Sequence, residues 1–469
     1  MRLRREWRKR QRSSCTRGSG GAPVLLRRGA DGARGRIGRA DTDFIRLPRQ
    51  HFQQPSGGAA VSRLWKSRLR NLDKPFVAAT LLLLLLGLIT LYSACAQAGD
   101  SPWAGNFGRQ LTWLALGAAG LVLACVVSLH LLRHLAYFLY GMAVAALVLL
   151  LLFGKGPGVA RWLQLGPVQI QPSELAKIAV VLALARFLTS TTTDLERPLD
   201  LIKAFALGLV PMALVAKQPN LGTAMVFGAL LLPMLFWAGL SLSSLFIILS
   251  PVLSFVASFH RLALTGVLIL VVVALLILRA RPRTIAFTLV MNLAAAAAAP
   301  ILWNHLHDYQ QQRILSFLGL REDPMGLSYQ VIQSKVAIGS GGIWGKGLLH
   351  GTQTHLRFLP AQHTDFIFSV IGEELGFVGT SVTLLLFGVF LRRCLMIASR
   401  ARNPFASLVV VGVLSIFAFH ILVNLGMVVG LMPVAGLPLP FMSYGGSFLL
   451  ASLIMVGLVA NVSMRWDEY

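Results

Sequence analysis

An all-α polytopic membrane fold of about twelve transmembrane helices, with one large extracytoplasmic loop, is what the sequence predicts, and three observations predict it. The chain has 469 residues, 55% of them hydrophobic and only 13% charged, with a mean hydropathy of +0.69. A soluble domain of this length needs far more charge to cover its surface. The apolar residues also come in blocks of about 20, the length that crosses a hydrocarbon core as a helix. Finally, the basic residues concentrate at one terminus and in short connecting loops, as positive-inside topology requires.

Taken in order, residues 1–74 are rich in Arg, Gly and Ser without sustained periodicity and read as a basic, disordered tail. No apolar core closely follows the first basic run, so they do not form a cleavable signal peptide. Apolar spans follow at 76–95, 108–127, 133–153, 173–189, 201–216, 221–238, 242–259, 262–279 and 284–303. A long polar loop occupies 304–364, and further spans lie at 366–391, 406–430 and 447–463. Residues 75–469 thus form one transmembrane domain.

Of the net charge of +25, residues 1–74 hold 20 Lys+Arg against 5 Asp+Glu, so +15 precedes the first span. Alternate loops carry Arg133, the stretch Arg186 to Lys203, the Arg279–Arg283 cluster and Arg392–Arg402. That pattern places both termini in the cytoplasm and loop 304–364 outside. A nucleic-acid-binding arm is excluded, because no aromatic interleaving or folded reader module accompanies the charge. No internal repeat of the transporter kind is visible. Cys15, Cys95, Cys125 and Cys394 have no metal-like or redox spacing and carry no chemistry.

Four polar constellations interrupt this apolar background. The first is Arg161-Trp162-Leu163-Gln164-Leu165-Gly166, followed by Gln171-Pro172-Ser173-Glu174-Leu175-Ala176-Lys177. Pro172 and Ser173 suit a helix start, with Ser173 as a candidate N-cap. Glu174 and Lys177, three apart, then share one helix face. Inside an apolar span they are tolerable when paired, so they read either as chemistry or as an ion pair orienting two helices. The second is Lys217-Gln218-Pro219-Asn220-Leu221-Gly222-Thr223-Ala224, a turn with Asn220 as N-cap.

The third constellation lies in and just after loop 304–364: Gln333-Ser334-Lys335, Gly339-Ser340-Gly341-Gly342, Gly345-Lys346-Gly347 and His363-Thr364-Asp365. Gly-rich backbone can approach a phosphate closely, and Lys335, Lys346 and Arg357 could meet its charge. This is not a Walker A loop, which needs Gly where Ser340 stands and Ser or Thr where Gly347 stands. Asp365 reads either as the N-cap of the next span or as a general base. The fourth pairs His420 and Asn424 on one span with the stretch Met432-Pro433 to Ser443-Tyr444-Gly445-Gly446-Ser447. Its prolines and paired glycines cannot continue a helix, so irregular backbone sits at membrane depth, buried in protein or lining a cavity. A lone intramembrane His reads as hydrogen-bonded structure, with no carboxylate or second His to complete a metal set.

Together these segments resemble the SEDS family of bacterial cell-wall proteins, the group containing RodA and FtsW, from about Asp73 to the C-terminus. The carriers are Gly351-Thr352-Gln353 through Leu359-Pro360 to His363-Thr364-Asp365-Phe366-Ile367-Phe368, Gly372-Glu373-Glu374-Leu375-Gly376, Gln333-Ser334-Lys335 and Lys346-Gly347-Leu348-Leu349-His350-Gly351. They look like the RodA branch rather than the division branch. The resemblance implies a peptidoglycan glycosyltransferase of the bacterial cytoplasmic membrane, polymerising lipid II for cell elongation and rod shape. It implies Asp365, Glu174 and Lys177 as catalytic residues. Trp162, with Arg161, Lys335, Lys346, His363 and Ser443, would bind substrate, and a divalent cation, Mg or Mn, is the cofactor such chemistry admits. The implied partners are lipid II, a class B penicillin-binding protein and the elongation machinery, with no nucleic acid. A lipid II flippase and a non-catalytic scaffold are the competing readings.

Two departures from the family pattern stand out. Asn220 occupies a position usually held by Asp, and a neutral Asn can cap but cannot ionise. The family has ten spans where this sequence has twelve, the surplus lying between Gly239 and Trp303.

Overall fold

The computed structural model describes residues 68, 70–96, 105–153, 162–165, 168–218, 220–305, 311–312, 327–355, 358 and 361–466. The basic tail and part of the 304–364 loop, with Arg161 and Arg357, lie outside the described residues.

Helix α1 (Lys74–Ala96) opens on Asp73, whose Oδ1 accepts from Phe76 N at 2.9 Å. It is followed by α2 (Asn106–Val126) and α3 (Leu129–Phe153). A small antiparallel hairpin, β1 (Leu163–Leu165) and β2 (Val168–Ile170), then pairs Leu163 with Ile170. Six helices come next: α4 (Pro172–Leu188), α5 (Pro198–Lys217), α6 (Leu221–Trp237), α7 (Leu242–Ala257), α8 (Arg261–Ile277) and α9 (Pro282–His305). The long loop contains α10 (Leu327–Ser340) and the short α11 (Thr352–His355). Three helices, α12 (Ile367–Arg400), α13 (Pro404–Val428) and α14 (Gly446–Met464), complete the chain.

Each of the twelve predicted apolar blocks thus folds as a helix. Eight helices among the described residues are long and apolar enough to cross a membrane. α6, α7 and α8 are shorter apolar helices, and α4 carries Glu174, Lys177 and Arg186. The other four, of 16 or 17 residues, fall just short of that length. Two strands, absent from the all-α expectation, form only the hairpin before α4.

Local chemistry explains the starts. Proline stands in the first turn of α4, α5 and α13, where its missing N–H costs nothing. Asn220 caps α6 as expected, accepting from Thr223 N at 3.4 Å. Ser173 does not cap α4; with Pro172 already helical, the cap position falls to Gln171. α13 and α14 are buried over most of their surface, whereas α2 and α3 face outward. In the surplus region, Asn292 of α9 donates to Ser250 Oγ at 2.9 Å and accepts from Ser254 Oγ at 2.7 Å, holding α7 by polar contacts at membrane depth.

α12 is broken at Gly376, whose φ of 63° and ψ of −156° separate a short entering helix, from Ile367 to Leu375, from the main helix. A Cβ there would collide with the backbone of Gly345 and Ile343. The Gly341–Gly347 segment packs along this break. Lys346 N and Gly347 N donate to Glu373 O and Glu374 O at 3.0 Å each, and Phe377 N donates to Gly342 O at 2.9 Å.

Charge divides between the two ends of the bundle. At one end Asp73 lies 3.6 Å from Arg393, Asp73 N donates to Ser463 Oγ at 3.0 Å, and Arg465 donates to Val126 O at 2.9 Å. At the other end of α1, Ser93 donates to Glu374 Oε1 at 2.6 Å.

Candidate active site

The broken stretch between α13 and α14 organises the site. Its residues Leu437, Leu439, Phe441, Met442 and Ser443 are buried, so the irregular backbone lies within protein, as its composition predicts. Gly87 on α1 and Gly222 on α6 make this possible, since a Cβ on either would strike the backbone at Phe441 or Ala435. Backbone groups that no helix satisfies are taken up by side chains. His420 pairs with Pro438 O at 3.2 Å, and Asn424 Nδ2 donates to Leu437 O at 2.8 Å. Ser443 Oγ accepts from Leu439 N at 2.8 Å. Gln110 of α2 donates to Ser443 O at 3.3 Å and accepts from Gly445 N at 3.2 Å. Gln110 went unnoticed in the sequence, although a lone Gln in an apolar span is a signal of the same kind as Glu174.

Asp365 stands against this stretch. Its carbonyl accepts from the same Asn424 amide that holds Leu437, at 2.9 Å. Its carboxylate faces Gly436, where an added Cβ would lie 3.6 Å from Oδ2. The N-cap of α12 is Phe366, without a side-chain capping bond, so Asp365 is not the N-cap. It is half-buried, reachable from solvent or substrate.

Glu174 and Lys177 sit in the first turns of α4, their charged atoms 2.7 Å apart and their side chains 5% and 0% exposed. The acid lies at the positive end of the α4 dipole, which favours it. Lys177 Nζ also approaches His420 Nε2 at 3.2 Å. Because a carbonyl can only accept, His420 Nδ1 carries the proton toward Pro438 O, leaving Nε2 to accept from the ammonium. The Phe448 ring lies 5.3 Å from Lys177 Nζ. His420 and Asn424, one turn apart on α13, therefore connect the buried ion pair to Asp365 through a single helix face.

The remaining predicted residues distribute unevenly. Lys346 is ion-paired with the buried Glu373 at 2.8 Å, and the same carboxylate oxygen accepts from Thr352 Oγ1 and Gln353 N. Gly341 and Gly345 pack closely against the α12 break, where an added Cβ would strike the backbone of Gly372 or Glu374. Lys335 lies on α10, exposed, with its ammonium beside Gly430 at the end of α13. α10 is fixed there by Ser334, which donates to Val428 O at 2.7 Å. His363 is half-buried; its carbonyl accepts from Tyr444 N at 2.8 Å, and burial lowers its pKa from the usual 6.5. Trp162 is exposed at the head of the hairpin. Ser447 of α14 anchors that hairpin, donating to Gln169 O at 3.1 Å and accepting from Gln171 N at 3.0 Å. Arg161 is outside the described residues.

Among the described residues no three His, Cys, Asp or Glu side chains cluster where a metal ion could be held.

Comparison with known proteins gives this arrangement its context. The family model described as cell cycle protein, covering FtsW, RodA and SpoVE, matches residues 74–265 and 262–468. The peptidoglycan glycosyltransferase MrdB of Escherichia coli K12 is 38% identical over 394 residues, spanning 83% of this chain and 94% of its own length. A solved chain from a peptidoglycan synthase complex that coordinates polymerization and crosslinking superposes with a TM-score of 0.63 at 32% identity, covering 85% of this chain and 99% of its own. The crystal structure of the rod shape determining protein RodA of Thermus thermophilus gives 0.56 at 29% identity, covering 84% and 98%. The chain belongs to the FtsW/RodA/SpoVE family, the SEDS group expected from its motifs, and is a multi-pass membrane peptidoglycan glycosyltransferase.

Proposed function

We propose that the chain polymerises lipid II at the outer face of the cytoplasmic membrane, with Asp365 as general base, during cell elongation. The observation that carries this reading is the half-buried Asp365 carboxylate beside Gly436, on backbone that Asn424 ties to the buried stretch at Leu437. In the reaction the 4-hydroxyl of a GlcNAc attacks the anomeric carbon of the MurNAc at the end of the growing chain. Asp365 accepts the hydroxyl proton as the new C–O bond forms. The bond from the anomeric carbon to the lipid diphosphate breaks, and the diphosphate leaves with the electron pair, inverting the centre.

The leaving group needs a cation near it. Lys177 is wholly buried and held by Glu174 and His420, and Lys346 is held by Glu373. This favours Lys335, exposed at the end of α13, for that task. Glu174 and Lys177 then act as positioning residues, fixing His420 and through α13 the register of Asn424 and Asp365. Trp162, with Arg161, His363 and Ser443, would line or shape the substrate path.

The segregation of charge supports this orientation. Arg393 and Arg465 gather at one end of the bundle, while Asp365 opens α12, the helix that carries Arg393 toward its other end. Positive-inside placement puts the basic end in the cytoplasm and Asp365 outside. A class B penicillin-binding protein is the partner that would crosslink the product, in line with the synthase complex that the chain resembles. Purified chain with that partner and fluorescent lipid II should make glycan polymer, and Asp365→Ala should abolish it. Polymer persisting in Asp365→Ala sinks the assignment of the base. No polymer, but labelled lipid crossing liposome bilayers, establishes the flippase reading instead.

A further inference from the structure

A second polar site lies far along α4 from Glu174 and Lys177. A cavity of about 390 Å³ is lined by Arg133, His134, Tyr137, Arg186 and Ser190. Ligand pockets run from about 300 to 1,000 Å³, so this is one of usable size. It lies between the first turns of α3 and the last turn of α4. Nine residues separate Lys177 from Arg186, a rise of about 14 Å along the helix.

The lining holds two guanidiniums, an imidazole, a phenol and a hydroxyl, and no carboxylate. Arg186 is fixed in place. Its NH1 donates to Arg133 O at 2.9 Å and His134 O at 2.7 Å, and its plane lies 4.4 Å from the Tyr137 ring centre. One nitrogen of the fork makes both bonds, so the other two are oriented by the stack and by the carbonyls. The Arg133 side chain is exposed and has no ion-pair partner among the described residues. The nearby carboxylate of Asp194 lies 3.7 Å from Arg197, and Asp200 pairs with Lys203 at 3.4 Å, so these acids are engaged elsewhere.

Beside the pocket, Leu131, Leu135 and Phe138 form an exposed apolar stripe on α3, spaced four and three residues apart. A ligand that placed a phosphate between the guanidiniums would thus lay apolar chains along this stripe. Guanidinium forks match phosphate oxygens in geometry as well as charge. We propose that this pocket binds the phosphate of an anionic phospholipid headgroup, at the end of α4 remote from the reaction. Under the topology proposed above this is the cytoplasmic leaflet, where basic pockets between helices meet anionic lipid.

The test uses the full chain in neutral detergent, titrated with phosphatidylglycerol, phosphatidylcholine or inorganic phosphate and followed by native mass spectrometry and thermal shift. Phosphatidylglycerol should bind with an affinity that falls as salt rises, and phosphatidylcholine should bind much more weakly. Arg133→Gln, which breaks no side-chain ion pair or hydrogen bond among the described residues, should weaken phosphatidylglycerol by about fivefold, and Arg133→Gln/Arg186→Gln by about 25-fold. Inorganic phosphate that displaces the lipid with the same dependence on Arg133 identifies a free anion as the source; lipid retained against it identifies the headgroup. Equal binding of the two lipids, or Arg133→Gln binding like the unaltered chain, overturns the proposal.

Discussion

Removing the ammonium of Lys177 tests how the buried pair supports the site. Lys177 and Glu174 lie 2.7 Å apart with almost no exposure, and Lys177 also donates to His420. At an effective dielectric of about 20, charges at that distance attract by roughly 6 kcal/mol. Relaxation and water entry reduce the cost of losing one partner to about 3–5 kcal/mol, chiefly the penalty of a carboxylate left buried alone. Lys177→Met should therefore lose that much stability in unfolding by dodecyl sulfate titration in mixed micelles, followed by tryptophan fluorescence. Glu174→Gln/Lys177→Met removes both charges and should recover to within about 1–2 kcal/mol of the unaltered chain. Its lipid II polymerisation should stay low, because His420 has lost the donor that fixes its ring. Lys177→Met as stable as the unaltered chain refutes the argument that the pair is buried and mutually compensating. A double variant that is stable and fully active refutes the positioning role.

Other perturbations probe the frame around Asp365. Asn424→Leu deprives the carbonyls of Asp365 and Leu437 of their donor, at about 1–3 kcal/mol each, and should lower kcat more than it raises KM in the polymerisation assay. Gly376→Ala imposes a Cβ at φ 63° against the Gly345 backbone and should abolish folded protein on size-exclusion chromatography, while Gly388→Ala, with nothing within 4 Å, should be silent. Glu373→Gln loses the charge that holds Lys346 and should make the 341–355 segment several-fold more sensitive to limited proteolysis without unfolding the bundle. Burial holds His363 below its usual 6.5, so its folded state favours the neutral ring. That contribution is complete above pH 6.5 and lost as pH falls through the lowered value, and His363→Asn should flatten this acid limb of the thermal-stability profile.

The residues differ in how far their roles could be read before the fold was seen. Asn220 was legible as a cap because the turn, the short polar side chain and the following apolar run sit within a few positions. The burial of backbone within 437–443 was legible from the prolines and glycines around it, since backbone that cannot form a helix must find partners inside the protein. Asp365 stood out as the candidate base only through the resemblance, because a carboxylate ahead of a helix is ordinarily a cap. The Gly-rich run around Lys346 read as a phosphate cradle from its composition alone: glycine marks close backbone approach without saying what approaches, and Gly341 and Gly345 approach the broken start of α12. Gln110 escaped notice, and Glu373 was read only as part of a motif, because their partners lie 333 to 335 and 20 to 27 residues away.

By itself the sequence determined the membrane class, the helical blocks and the family, because hydropathy and motif are properties of contiguous residues. Only the tertiary structure decided that Lys177 and Lys346 are already held, that Lys335 stands exposed, and that His420 and Asn424 join the ion pair to Asp365. It also decided that Arg133 and Arg186 close one pocket from two helices. Such facts depend on which helix faces meet, and long-range packing is set by the shape of the whole bundle rather than by any local run of residues.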